Sequence, residues 1–260
     1  YMNDADHSGD GGSMLELKNI SFTVSDEENR DKEIIKDISM TLEADNFIAI
    51  TGPNGGGKST LAKIIVGIEK PTSGQIIWNG QDITNLSISE RADLGISFAF
   101  QQPVRFKGIT VFDLIKLAVG HQISRSEACE YLSEVGLCAR DYVNREVDAS
   151  LSGGEIKRIE IATILARGTK LSIFDEPEAG IDLWSFQNLI QVFEKMRSDI
   201  KGSILIISHQ ERILRIADEI IVIADGEVLE HEKAEEFLPK LLNDTESKDE
   251  SCHCWKKGGC

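Results

Sequence analysis

The sequence has 260 residues, of which 41% are hydrophobic, and it carries a formal net charge of −16. This apolar content is enough for one large domain with a buried core. Because the negative charge repels a phosphate backbone and no basic patch offsets it, a nucleic-acid partner is not expected.

Hydropathy and cysteine content give two expectations about the cellular location of the protein. No apolar run approaches the roughly 20 residues that a membrane span requires, and no secretory signal precedes the first predicted strand. We therefore expect no direct membrane insertion, although the chain could dock on a membrane subunit. Five cysteines without a secretory signal indicate a reducing, cytoplasmic location.

The first predicted elements form an antiparallel β entry. Residues 1–13 are polar and glycine-rich, so we expect a disordered leader or tag remnant before a domain over 14–240. Apolar residues recur over 15–24 and again over 34–42, which predicts two strands joined by an acidic loop.

A glycine-rich turn between a strand and a helix is the strongest local signal. The apolar run 47–51 predicts a central strand, and the pattern G-x-x-x-x-G-K-S then opens a helix at Ser59. In such a loop the backbone N–H groups surround phosphates, Lys58 reaches the terminal phosphates and the Ser59 hydroxyl ligates Mg²⁺. The residues predicted to hold the nucleotide here are Gly52, Asn54, Gly55, Gly57, Lys58, Ser59 and Thr60.

The remaining elements indicate an α/β fold with a helical insert. Short apolar strands are predicted over 75–78, 96–100, 171–174, 204–208 and 220–223, with helices over 183–197 and 211–217. Between about 102 and 168 the periodicity is mainly helical, which predicts a helical subdomain. The alternation of strands and helices predicts a mostly parallel sheet with helices around it.

Two adjacent acids follow the apolar strand over 171–174. Asp175 would orient the water shell of Mg²⁺, and Glu176 would polarise the attacking water as general base. The carboxyl ends of parallel strands lie at the same edge of a sheet, so both acids should lie near the phosphate-binding loop. Asp-Glu pairs also occur as plain surface acids, and the neighbouring loop is what favours the catalytic interpretation.

A third motif, Leu151-Ser152-Gly153-Gly154-Glu155, opens a helix. Alone, it is more often a helix-capping turn than an anion site. Together with the first two motifs it resembles the signature of ATP-binding-cassette (ABC) ATPases, and the resemblance extends from about Leu15 to Glu232. It implies an ABC ATPase (P-loop NTPase) fold that binds ATP and Mg²⁺ and hydrolyses ATP.

The resemblance also implies further site residues. Gln101 resembles the glutamine that contacts Mg²⁺ and senses the partner, with Gln102 as its adjacent competitor. His209 resembles the switch histidine at the γ-phosphate, and Asp182 the acid of the loop between subunits. In this family ATP lies between the phosphate loop of one subunit and the signature of another, so Ser152 and Gly154 imply self-association into a head-to-tail dimer on ATP binding.

One position departs from the family pattern. Transporter ATPases usually carry an adenine-stacking aromatic residue where this sequence has Val24. Phe22, two residues earlier, is a weak substitute on the same predicted face.

Local motifs favour one branch of the family. The segments Phe100-Gln101-Gln102-Pro103, Gly154-Glu155-Ile156-Lys157-Arg158 and His209-Gln210-Glu211-Arg212 resemble the SUF-type iron–sulfur cluster assembly ATPase. That resemblance implies a soluble scaffold protein of the SUF type as partner. The alternative is the ATP-hydrolysing subunit of an ABC membrane transporter.

The end of the chain, residues 241–260, is predicted to be a flexible acidic tail with a cysteine cluster. Cys252, Cys254 and Cys260 could bind Zn²⁺ or an iron–sulfur cluster, although their spacing matches no standard finger. The alternative is a tail of solvated thiols.

Overall fold

The computed structural model describes residues 13–25, 31–102, 105–199 and 202–241. The predictions for the leader before Ser13 and for the tail cysteines therefore lie outside the described residues. Ser13, which we predicted to belong to the leader, is the first residue of a strand, and Leu241, which we predicted to begin the tail, is helical.

Strands and helices alternate over most of the described chain. The strands are β1 (Ser13–Ser25), β2 (Asp31–Glu43), β3 (Phe47–Thr51), β4 (Ser73–Trp78), β5 (Gln81–Asp82), β6 (Ile96–Ala99), β7 (Phe106–Thr110), β8 (Glu146–Val147), β9 (Leu171–Asp175), β10 (Ser203–Ile207), β11 (Glu219–Ala224) and β12 (Glu227–Lys233). The helices are α1 (Lys58–Val66), α2 (Ile88–Asp93), α3 (Val111–Val119), α4 (Arg125–Glu134), α5 (Ala139–Tyr142), α6 (Gly153–Arg167), α7 (Leu183–Asp199) and α8 (Glu211–Ile216). Residues 234–241 are also helical. Within these ranges, every helix is too short or too polar to cross a membrane.

The central sheet has six strands in the order β12-β11-β3-β10-β9-β6. Five of them are parallel, and β12 is the antiparallel edge strand. The predicted mostly parallel sheet is confirmed. The edge strand β12 was not predicted, because its sequence Glu-Val-Leu-Glu-His-Glu-Lys alternates weakly and is mostly charged, as edge strands often are.

Strand β3 lies between two apolar clusters, one on each face of the central sheet. Phe47 and Ala49 point into a cluster shared with α3 to α7, and Ile48 and Ile50 point into a cluster shared with β1, β2, β4 and α1. A strand buried on both faces reads as a continuous apolar run, which is why β3 was predictable. This burial fixes the strand from which the glycine-rich turn emerges.

The antiparallel entry forms a second sheet in the order β2-β1-β4-β5. Its pairing of β1 with β2 shifts register at several points, including between Phe22 and Thr23. Phe22 packs partly against the core below, whereas Val24 is 42% exposed. A register shift therefore separates these two residues, and the exposed position at the end of β1 is held by Val24.

The segment between β6 and β9 is largely helical and contains α3 to α6. It also contains the short β7–β8 pair, which we did not predict because two-residue and glycine-containing strands give almost no alternation. The apolar residues of α3, α4 and α6 belong to the same cluster as one face of the central sheet. The segment thus packs as a continuation of that face.

A buried arginine supports the helix that follows the glycine-rich turn. Arg91 on α2 is 2% exposed, and its guanidinium donates hydrogen bonds to the carbonyl oxygens of Ile64 and Ile65 (both 2.7 Å), Thr84 (2.9 Å) and Leu86 (3.2 Å). Two of these carbonyls lie in the last turn of α1, where intrahelical donors are missing. Arg91 therefore caps α1 from the side.

We expect Arg91→Lys to lower the free energy of unfolding by about 2–4 kcal/mol, because an ammonium cannot reach four carbonyls and leaves buried acceptors unpaired. Urea unfolding followed by circular dichroism measures the change. The exposed Arg140→Lys is the matched control and should leave the midpoint unchanged. Equal stability of Arg91→Lys and wild-type protein would contradict the capping role.

Candidate functional site

The glycine-rich turn after β3 contains three glycines with positive φ, two of which fix its close contacts and its junction with α1. Gly52 has φ +129°, and a Cβ there would lie 2.1 Å from the carbonyl oxygen of Ile223. Gly57 has φ +103° and is the N-cap of α1. Its lack of a side chain matters, since α2, α3, α4 and α6 all begin with a capping box and α1 begins with no side-chain cap. The first N–H groups of α1 are thus left for an anion.

Lys58 lies inside this turn. Its ammonium group donates hydrogen bonds to the carbonyl oxygens of Gly52 and Pro53, both at 2.8 Å. Burial lowers the pKa of Lys58, and the nearby Glu176 and Asp175 raise it. The cation is therefore placed at the loop with two carboxylates close enough to stabilise its charge.

The next residue of α1 contacts the first of the two predicted acids. Ser59 Oγ donates to Asp175 Oδ1 at 2.8 Å, joining the start of α1 to the end of β9. Burial raises the pKa of the Asp175 carboxyl, and the Ser59 hydrogen bond opposes this shift. A hydroxyl and a carboxylate oxygen side by side are hard donors of the kind that Mg²⁺ takes together with phosphate oxygens.

The second acid has an unusual backbone. Glu176 has φ +43°, a left-handed conformation that is uncommon for residues other than glycine. Its amide N–H donates to Ile207 O at 3.0 Å, which fixes it against the end of β10. This conformation turns the side chain of Glu176 away from the direction that Asp175 takes in the strand.

Two predicted residues converge on the Glu176 carboxylate. Gln101, which follows β6, donates from Nε2 to Glu176 Oε2 at 2.7 Å. His209, which follows β10, has its Nε2 3.9 Å from Glu176 Oε1. Three loops after parallel strands therefore meet at one carboxylate, at the edge of the sheet where α/β proteins bind ligands.

The three residues predicted to act across subunits lie apart from this cluster. Ser152 is exposed and is the N-cap of α6, where its hydroxyl accepts from the Glu155 N–H at 3.3 Å. A Cβ on Gly154 would lie 2.4 Å from Ser185 Cβ, so α6 begins in close contact with α7.

Asp182 caps the start of α7. Its carboxylate accepts from the Ser185 hydroxyl at 2.7 Å and from the Trp184 N–H at 3.0 Å. The hydrogen bonds from Ser185 hold the pKa of Asp182 below its usual range.

Of the other predicted residues, Asn54 is exposed in the turn, Gly55 has φ +79°, and Thr60 is partly buried in α1. Gln102 is exposed beside Gln101. A cleft of about 550 Å³ separates the loop of Gln101 from Gly153 and Gly180. The described residues thus place Lys58, Ser59, Asp175 and Glu176 in one cluster, and Ser152, Gly154 and Asp182 around the contact between α6 and α7.

The sequence analysis missed one acid of this region. Glu178 accepts a hydrogen bond from the hydroxyl of Ser208, the residue before His209, and its second oxygen is buried without a partner among the described residues. Burial raises the pKa of Glu178. The available signal was the position of Glu178 between Glu176 and Asp182, two predicted site residues. A single acid in an acidic loop, however, is usually interpreted as a solvated residue.

Comparison with known proteins places the chain in one family. The model of the ABC transporter family matches residues 35–179. An uncharacterized ABC transporter ATP-binding protein of Methanocaldococcus jannaschii is 42% identical over 207 residues, which cover 76% of this chain and 82% of the relative. The probable ATP-dependent transporter ycf16 of Antithamnion sp. is 30% identical over 231 residues, covering 83% of this chain and 90% of the relative.

Solved structures give the same result for the fold. A dimeric ATP-binding cassette in a post-hydrolysis state, bound to ADP and Pi, superimposes with a TM-score of 0.75 at 27% identity. The dimeric structure of a bacterial ABC transporter cassette superimposes with a TM-score of 0.76, also at 27% identity. Both matches cover 85% of this chain and 99% of the other.

Proposed function

Because this chain belongs to the ABC transporter family and is an ATP-hydrolysing cassette of it, we propose that Lys58, Asp175 and Glu176 are the centre of its active site. The observation that carries the proposal is the convergence of the loops after β3, β6, β9 and β10 on these side chains.

The glycine-rich turn and the N-terminus of α1 bind the phosphates. The uncapped N-terminus of α1 offers N–H groups and the positive end of its dipole to the β- and γ-phosphates. The Lys58 ammonium exchanges its bonds to Gly52 and Pro53 for phosphate oxygens, which carry full negative charge and accept more strongly than carbonyls.

Ser59, Asp175 and Gln101 are the residues that would hold Mg²⁺. Ser59 and Asp175 fit this role, because their oxygens are already 2.8 Å apart and the pair offers a hydroxyl and one carboxylate. When bound, Mg²⁺ neutralises charge that develops on the phosphate oxygens. Gln101 donates from its amide nitrogen to Glu176, the residue after Asp175, which leaves its amide oxygen as the ligand that it would offer.

Glu176 is the proposed general base. Its carboxylate accepts the proton of the attacking water, and its fixed φ of +43° keeps the carboxylate at the end of β9 beside the phosphate loop. The His209 imidazole lies on the other side of the same carboxylate, where it can donate to the γ-phosphate. Gln101 holds Glu176 in the absence of nucleotide.

We propose that a second copy of the chain completes the site. Ser152, Gly154 and Asp182 lie around the contact between the starts of α6 and α7, and Ser152 presents an exposed hydroxyl at the N-terminus of α6. The solved dimeric cassettes support this arrangement. ATP between the phosphate loop of one copy and the Ser152 region of the other would join the two in a head-to-tail dimer.

For the work that hydrolysis drives, we propose iron–sulfur cluster assembly on a soluble scaffold protein of the SUF type. Three sequence segments support it, at Phe100, at Gly154 and at His209, each similar to the assembly ATPases. The exposed Val24, where transporter ATPases place an aromatic residue, is shared with that branch.

A groove beside Gln101 offers the surface for this partner. It has a volume of about 370 Å³, lies between β6, α2, α3 and α6, and is lined mainly by apolar side chains, among them Phe100, Phe106 and Leu114. Phe100 is 42% exposed there and precedes Gln101 directly.

The second candidate is the ATPase subunit of an ABC membrane transporter. The observation that favours it is the naming of the relatives, which include ABC transporter ATP-binding proteins and a spermidine/putrescine import ATP-binding protein of Mesoplasma florum. The ATPase chemistry proposed above is the same for both candidates.

Affinity purification of the tagged protein from its own host, without air, separates the two. We expect a co-purifying protein in the soluble fraction that carries iron and acid-labile sulfide. A polytopic membrane protein in the detergent fraction would instead establish the transporter subunit. Parallel preparations with and without residues 252–260 report whether Cys252, Cys254 and Cys260 bind Zn²⁺ or iron, as the tail hypothesis requires.

A further inference from the structure

A buried ion pair on α6 has no part in the chemistry described above. Lys157 and Glu160 lie about one and two turns after the Ser152 cap, with side chains that are 2% and 18% exposed and an Nζ–Oε2 distance of 3.2 Å. Buried charges are costly even when paired, and apolar residues in their place are often neutral or stabilising. The other buried side chains of α6, among them Ile156 and Ile159, pack in the apolar core.

Both members of the pair bind the backbone of one residue, Phe100. The Lys157 ammonium donates to the Phe100 carbonyl oxygen, and the Phe100 backbone lies close enough to the Glu160 carboxylate to lower its pKa. Phe100 comes directly after β6, whose ladder with β9 ends at Ala99 and Phe174. The ion pair therefore holds the backbone at the first residue beyond the β6–β9 ladder.

The residue held in this way is joined covalently to the active site. Gln101 is the next residue, and its amide donates to Glu176 at 2.7 Å. Successive Cα atoms are fixed about 3.8 Å apart, so a displacement of Phe100 displaces Gln101. A continuous path thus leads from the first turns of α6 through Phe100 and Gln101 to the carboxylate of Glu176.

We propose that Lys157 and Glu160 are positioning residues: together they clamp the Phe100 backbone and thereby couple the orientation of α6 to the placement of Gln101 against Glu176. This inference rests on the roles proposed above for Gln101 and Glu176. Because Ser152 caps the N-terminus of α6, a rotation of α6 when a second copy binds would reach the catalytic carboxylate of the same chain. Burial raises the pKa of Glu160, and Lys157 opposes this shift, as expected for a carboxylate that depends on its cation.

The decisive variant is Lys157→Met/Glu160→Leu. Replacing one partner alone would leave a buried charge unpaired and could prevent folding, whereas the double variant fills the same space without charge. We expect its thermal midpoint and its affinity for ATP to remain close to wild type and its kcat to fall about 10- to 100-fold, since a misplacement near 1 Å is costly to turnover. The conservative Lys157→Arg keeps a donor to Phe100 and should retain more turnover than the double variant.

The control is Lys240→Met, which removes an exposed ion pair with Glu232 and should change neither kcat nor stability. A double variant that is folded and has wild-type kcat would overturn the clamp. Gln101→Ala separates this failure from a failure of the proposed active site. If Gln101→Ala is slow and the double variant is fast, only the clamp is wrong, and if Gln101→Ala itself turns over at the wild-type rate, the role of Gln101 is wrong.

Discussion

Glu176→Gln is expected to bind ATP as tightly as the wild-type chain and to lose about 100- to 10,000-fold in kcat, the range typical for removing a general base. The amide has the shape of the carboxylate and can still accept the hydrogen bond from Gln101, so the loop geometry survives. What is lost is the group that takes a proton from water. Lys58 keeps its bonds to the turn and loses one carboxylate neighbour, which does not weaken its attraction to phosphate.

Single-turnover hydrolysis and equilibrium ATP binding, measured on the same preparation, test this expectation. The exposed Glu130→Gln is the control for a change of net charge on the surface. Loss of ATP binding together with turnover would show that Glu176 holds the nucleotide and does not act as base. Undiminished hydrolysis would reject the assignment outright.

The parts of the site that were predictable share one physical property: each lies where a buried strand ends. β3, β9 and β10 are buried almost completely and read as continuous apolar runs. The residues just after them are therefore placed at one edge of the sheet by topology alone. For that reason Asp175 was predicted to lie beside the phosphate-binding loop, whereas His209 was assigned through the resemblance to ABC ATPases.

The unpredicted parts depend on contacts between distant segments. No local pattern indicates that Gln101 bonds to Glu176, or that Lys157 and Glu160 hold the backbone of Phe100. Periodicity on α6 is uninformative, because this helix is buried around most of its circumference and its charged residues read as a solvated i, i+3 pair. Tertiary packing, rather than sequence spacing, gives these residues their partners.

Asp182 illustrates how one residue type supports two interpretations. An acid before a helix is a common N-cap, and Asp182 does cap α7 through Ser185 and Trp184. The resemblance to ABC ATPases implied communication between subunits instead. Capping fixes the start of α7 close to the Gly154 contact, so both interpretations concern the surface on which a second copy would dock.

A mixture of two inactive variants tests whether that second copy completes the site. Lys58→Ala removes the cation that binds phosphate. Ser152→Asp keeps a good N-cap on α6 and places a negative charge where the partner's γ-phosphate is expected. Each variant alone should lose most turnover, and Ser152→Asn, a neutral cap of similar size, should lose much less than Ser152→Asp.

Activity should return when the two inactive proteins are combined. In a head-to-tail dimer each site takes Lys58 from one copy and Ser152 from the other, so a mixed dimer has one intact site and one doubly altered site. Equal amounts that exchange at random give mixed dimers in half of the population, and the mixture should recover about a quarter of the wild-type rate. If Ser152 instead acted on the nucleotide of its own chain, no mixture of the two variants would contain an intact site, and the rate would stay at the level of the inactive parents. The recovered rate therefore reports directly whether the two halves of the site, which lie apart in one chain, meet between two.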